Sequence, residues 1–216
     1  MALIQNPVVE AYKSMRKGVL YLIIAWLLIG IGLSSVVFGM FNLFALTATR
    51  GMFHGIGAIM GLAIAIVIIF AIGLVIALIG LWGNFIPGVS MLAKAMPELS
   101  TASSLVRIGL FYGLIVLLIG LLTIFIVIGI PIIVIGYIML ILGYIGLIIL
   151  CFKLNELEKN VLYLAAGILF IIAIFIGLAG FIAWILLYIA LGDSIAKASQ
   201  AQPTPLTTIT TPPSPA

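Results

Sequence analysis

Charge is the scarcest property of this chain. Lys and Arg number 9 and Asp and Glu 5 among 216 residues, 6% of the total, whereas a soluble domain carries roughly 25%. So few charges cannot build a water-solvated surface, and lipid must be the main solvent. A single cysteine, Cys151, excludes an intrachain disulfide and reads as a small buried hydrophobe at the end of an apolar stretch. One histidine and one cysteine cannot complete a zinc site. No basic cluster exceeds Lys13-Ser14-Met15-Arg16-Lys17, which argues against a nucleic-acid partner. No Asn-x-Ser/Thr sequon is present. No cleavable leader is expected, because the first apolar stretch far exceeds a signal h-region, and neither end carries a lipidation signal.

What fills the chain instead is apolar length. Hydrophobic residues make up 66% of it, mean hydropathy is +1.50, and isoleucine alone supplies 40 positions. Ile108–Phe152 runs 45 residues without a charge, about 67 Å as one helix, against roughly 20 helical residues for a hydrocarbon core. That run must fold back on itself, and Gly129-Ile130-Pro131 is the expected bend, since Pro removes a donor and restricts the preceding residue. Charge-free stretches at Gly18–Thr49, Gly55–Ile86 and Val161–Gly192 are each read as one tilted span. A β-barrel would need strict alternation, which is absent.

The expectation is therefore an all-α, polytopic, five-helix bundle. A cytoplasmic segment covers 1–17, the membrane domain 18–192, and a disordered extracellular Pro/Thr/Ser-rich tail 193–216. Its spans are placed at 18–46, 55–82, 106–128, 131–152 and 161–190. An internal N terminus puts Lys13, Arg16, Lys17, Lys94, Arg107, Lys153 and Lys159 on the cytoplasmic side of a cell membrane, leaving Arg50 and Lys197 outside. Five spans then place the termini on opposite faces. Gly83–Leu105 is read as a loop, either irregular or lying along the inner surface as an amphipathic segment. In the Lys153–Asn160 connector, Glu156 and Lys159 are spaced to pair.

The charged residues all lie at helix ends or in loops, which weakens any pump or proton relay. Ile135-Gly136-Tyr137 lacks the threonine and second glycine of a potassium filter. Gly32-Leu33-Ser34-Ser35 has its only base candidate, His54, about 30 Å away along a helix. His54 beside Arg50 reads as an interfacial residue, with external pH sensing as the sharper alternative. The chain is read as non-enzymatic and without a cofactor. Glycine carries the informative pattern. Gly129, Gly136 and Gly143 recur every seven residues, as do Gly73 with Gly80 and Gly113 with Gly120, a spacing that keeps small residues on one helix-packing face. The stretch from Gly73 to Leu81 also mirrors that from Gly113 to Leu121; inverted repeats of transporters share such patterns, but in so restricted an alphabet the match is read as coincidence.

Lys17-Gly-Val-Leu-Tyr21, Cys151-Phe-Lys-Leu-Asn-Glu156 and Tyr188-Ile-Ala-Leu-Gly-Asp193, with the five-span layout, resemble the DUF973 family of archaeal multipass membrane proteins over residues 10–197. The resemblance implies an archaeal cell membrane as the location and brings no catalytic or binding residue with it. The expected role is a structural or partner-binding component, engaging the lipid bilayer and a membrane-protein partner or a second copy. The alternative is a small carrier or pore lined by Ser34, Ser35, Asn42, Thr123 and tyrosines.

Overall fold

The computed structural model describes the backbone of residues 7–50, 52–123 and 128–200, and side chains within these except 42–50, 52–59 and 62. The expected tail beyond residue 200, the side chains of Asn42, Arg50 and His54, and the apex of the 108–152 hairpin lie outside the described residues. Among them the chain is helical with no strand. The order is α1 (Pro7–Arg50), α2 (Met52–Gly80), α3 (Ile86–Ala95), α4 (Ser100–Val106), α5 (Gly113–Leu122), α6 (Gly129–Glu158), α7 (Val161–Ala173) and α8 (Gly177–Gln200).

Two π-helical segments weld pieces into longer rods: Leu81–Phe85 joins α2 to α3, and Arg107–Tyr112 joins α4 to α5. In the first, the Ile86 amide bonds the Leu81 carbonyl, an i→i−5 step. The register returns to i−4 where Pro87 has no amide to donate, so the proline is carried inside a continuing rod. The region expected as a loop, Gly83–Leu105, is thus helical apart from a break at Met96, extended at φ −129° and ψ 92° before Pro97, as a residue before proline prefers. It does not lie along a surface: Phe85, Val89, Leu92, Leu99 and Ala102 are buried in the core.

The hairpin in the long charge-free run turns ahead of Pro131. Here α5 stops at Leu122, where the Thr123 hydroxyl donates back to the Ile119 carbonyl at 2.8 Å and lies 3.3 Å from that of Gly120, the acceptor the next helical amide would use. Pro131 sits in the first turn of α6, where a missing donor costs nothing. The expected span boundaries 106–128 and 131–152 move accordingly.

The stretch expected as one span at 161–190 is instead an antiparallel helical hairpin. Its turn at Ile174–Ile176 has no proline; Phe175 at the tip is 85% exposed. The chain then returns, so that Ser194 meets Tyr163 and Asp193 meets Asn160. Among the described residues, five helical segments are long and apolar enough to cross a membrane, with α7 a shorter apolar helix beside them. At 13 residues α7 reaches only about 20 Å. The expectation that Lys159 and Lys197 lie on opposite faces is overturned: the Lys197 ammonium donates to the Glu158 carbonyl at 3.2 Å. Neighbouring helices run in the order α2, α1, α8, α7, α6, α5, and α3 with α4 closes this arc at one end. That end holds the core, built from Tyr12, Met15, Phe85, Leu150, Phe170 and Leu187 among others. At the far end α1 with α2 forms an arm whose side chains are exposed, Phe38 at 72%.

Candidate functional site: glycine seams and a basic groove

The close approaches run through glycine. A Cβ on Gly136 would stand 2.7 Å from the Leu117 amide nitrogen, one on Gly120 2.7 Å from that of Ile133, and one on Gly143 2.8 Å from that of Leu110. Gly109 faces the Gly143 backbone, and Gly113 faces Met139 and Leu140. These five positions form one seam between the rod ending in α5 and α6. Across the other hairpin, Gly80 lies against Gly18 and Tyr21 of α1, and Gly73 against Ile29. Each of the mirrored stretches therefore packs on its own hairpin partner through its two glycines. Gly129 is buried at the start of α6. Gly18, Gly88 against Met15, Gly146 against Val106 and Gly167 against Phe152 are equally tight. A seven-residue period does not reveal these four, because no glycine stands seven residues from any of them.

The closed end carries the polar chemistry. Tyr12 donates to the Glu158 carboxylate at 2.7 Å, linking α1 to the end of α6. The buried hydroxyls of Tyr163 and Ser194 share a hydrogen bond of 2.8 Å. Asn160 caps α7 by accepting from the Leu162 amide at 3.0 Å and donates to Asp193 at 3.2 Å. The expected Glu156–Lys159 pair does not form. α6 runs on to Glu158, so Glu156 meets Lys153 one turn earlier at 2.7 Å, while Lys159 is left-handed at φ 52° and ends the helix.

Beside this cap, α1 and α8 frame a groove of about 280 Å³ lined by Lys13, Arg16, Lys17, Leu20, Tyr188 and Ile195. The Arg16 guanidinium lies over the Tyr188 ring, 4.5 Å from its centroid. Gly192 admits it, since a Cβ there would be 3.3 Å from Arg16 Cζ. The one ion pair among the described residues is Lys153 with Glu156, so none of the three cations has a carboxylate partner there. Farther along the same two helices, a cavity of about 650 Å³ is lined by Trp26, Leu27, Ile31, Phe38, Leu178 and Phe181, together with Gly30, Ser34 and Ser35. The Ser34 and Ser35 hydroxyls donate to the carbonyls of Gly30 and Ile31 on their own helix at 2.9 Å. Cys151 is buried. No cluster of metal-ligating side chains occurs among the described residues.

Among the described residues this is an all-helical protein with five helices long and apolar enough to cross a membrane, its closest helix approaches made at glycine. The chain belongs to the family described as protein of unknown function (DUF973), which it matches over residues 9–216. No curated protein and no solved structure matches it.

Proposed function

We propose that the protein is a non-enzymatic, partner-binding component of an archaeal cell membrane, with its basic end in the cytoplasm. The supporting observation is how packing is distributed. The closed end is filled by interlocked apolar side chains, and the hydroxyls of Ser34, Ser35 and Thr123 are turned back onto carbonyls of their own helices. A carrier would instead gather polar groups around a wet central path. The apolar surface available to a partner lies on the outer arm, at Val37, Phe38, Met40 and Phe41 of α1 and Val67 of α2.

The orientation reading rests on the basic residues. Lys197 joins Lys13, Arg16, Lys17, Lys94, Arg107, Lys153 and Lys159 at the end where α1 begins and α8 finishes. Arg50 is alone at the opposite end of α1, about 51 Å from Arg16. Eight against one is a stronger inside bias than the seven against two of a five-span reading. It also brings Gln200, where α8 ends, to the cytoplasmic face.

Tagged protein, isolated from its native membrane after mild crosslinking, tests the reading. A stoichiometric membrane-protein partner or second copy is expected with the wild type, and loss of it with Phe38→Ala and Phe41→Ala combined. Solute uptake by proteoliposomes that stops on Ser34→Ala and Ser35→Ala would instead establish a carrier.

A further inference from the structure

The basic groove and the apolar cavity lie on one track. On α1, Arg16 and Leu20 line the first, and Leu27, Ile31, Ser34 and Phe38 the second. These positions recur at three-, four- and seven-residue steps, the spacing of one helix face. On α8, Ile195 and Tyr188 line the groove and Phe181 the cavity, at steps of seven. Because the helices run antiparallel, both recesses open along the same α1/α8 seam, cationic at the closed end and apolar beyond it.

We propose that this seam holds an anionic membrane lipid, its phosphate against Arg16, Lys13 and Lys17 and its chain running into the Trp26–Phe181 cavity. Charge complementarity selects the headgroup, since three cations without carboxylate partners converge where lipid phosphates lie. Arg16 supplies the second argument. Its Nε is buried and lacks a hydrogen-bond partner among the described residues, an arrangement costly for a charged donor until an acceptor is supplied. A planar guanidinium held over Tyr188 is preorganised for a phosphate, which it binds through paired donors. The tail follows from distance. Leu27, the first of the face's residues to line the cavity, is about 16 Å from Arg16 along α1, and half of a hydrocarbon core about 30 Å thick is of that length. A chain anchored at Arg16 therefore reaches the cavity mouth within one leaflet. Trp26 stands there 6.4 Å from the Phe181 ring. Phe38 is shared with the proposed partner surface, but the variants below change only Arg16, Lys13, Lys17 and Trp26, so either reading can fail without the other.

The test uses full-length protein in detergent and three probes: phosphatidic acid, diacylglycerol with the same chains, and inorganic phosphate. Phosphatidic acid should raise the thermal stability in a concentration-dependent way, and the other two should not at matched concentration. Arg16→Gln should weaken binding by about tenfold or more, as for loss of a charge-assisted hydrogen bond. Lys13 and Lys17 are exposed, so Lys13→Gln with Lys17→Gln gives a folded second variant whose binding is weaker and less salt-dependent. Phosphatidic acid brominated along its chains should quench a fluorescence component that disappears in Trp26→Phe. Equal stabilisation by diacylglycerol would leave only an apolar groove. Equal stabilisation by inorganic phosphate would make this a free-anion site. Wild-type binding by both charge variants, or no quenching of Trp26, would overturn the lipid assignment.

Discussion

Adding one methyl group to Gly136 measures whether the α5–α6 seam limits stability. A Cβ there would stand 2.7 Å from the Leu117 amide nitrogen and 2.8 Å from its Cα. Both are backbone atoms of a helix, so relief requires the two helices to separate. Overpacking of this kind costs about 1–3 kcal/mol. It is opposed by the gain of about 1 kcal/mol when Ala replaces Gly within a helix in water. A net loss of up to about 2 kcal/mol is expected, about 1–3 kcal/mol below controls that gain without the clash, and a larger one for Gly136→Leu. Gly30→Ala and Gly61→Ala are the matched controls: both positions are helical, and a Cβ at either meets nothing within 4 Å among the described residues. Denaturation of purified protein in one detergent, followed by circular dichroism, ranks the four variants. If Gly136→Ala unfolds with the controls, the close approach is not what holds the hairpin together.

Topology can be read with single cysteines, because native Cys151 is buried and should stay silent. Phe175→Cys at the α7–α8 turn should react with an impermeant maleimide on intact cells, and Ser199→Cys only after permeabilisation. Labelling of both from one side would show that the hairpin does not return across the membrane. The Tyr163–Ser194 pair offers a cycle: Tyr163→Phe or Ser194→Ala should each cost about 1–3 kcal/mol by stranding the other buried hydroxyl, and the double variant should cost less than their sum. Strict additivity would mean that the hydroxyls do not support one another.

Chemistry that is local along the chain was legible without the fold. Sparse charge and long apolar runs dictate helices in lipid, because no water is there to satisfy an unpaired amide. The 45-residue run had to turn because it is too long to cross once. The seven-residue spacing of Gly136 and Gly143 placed both on one face, and that face meets the rod ending in α5. Lys13, Arg16 and Lys17 were visible as a basic cluster on the expected cytoplasmic side. What they required from elsewhere was not: Tyr188 beneath Arg16, Gly192 beside it and the cavity farther along α8 come from residues about 165–175 positions away.

The return of the chain at Ile174–Ile176 was equally hidden. Its residues are as apolar as any span, and a stretch of 32 residues suits one tilted helix as well as two shorter ones. The pairing of Asn160 with Asp193, Tyr163 with Ser194 and Lys197 with the Glu158 carbonyl distinguishes them. That difference reverses the face on which residue 200 emerges and moves Lys197 to join the other cations. The sequence by itself determined that the chain is helical, apolar and drawn close by glycine, since backbone satisfaction and residue size act locally. The tertiary structure alone decided how many times the chain turns back and which distant side chains frame the groove, because both depend on contacts between segments that composition makes nearly interchangeable.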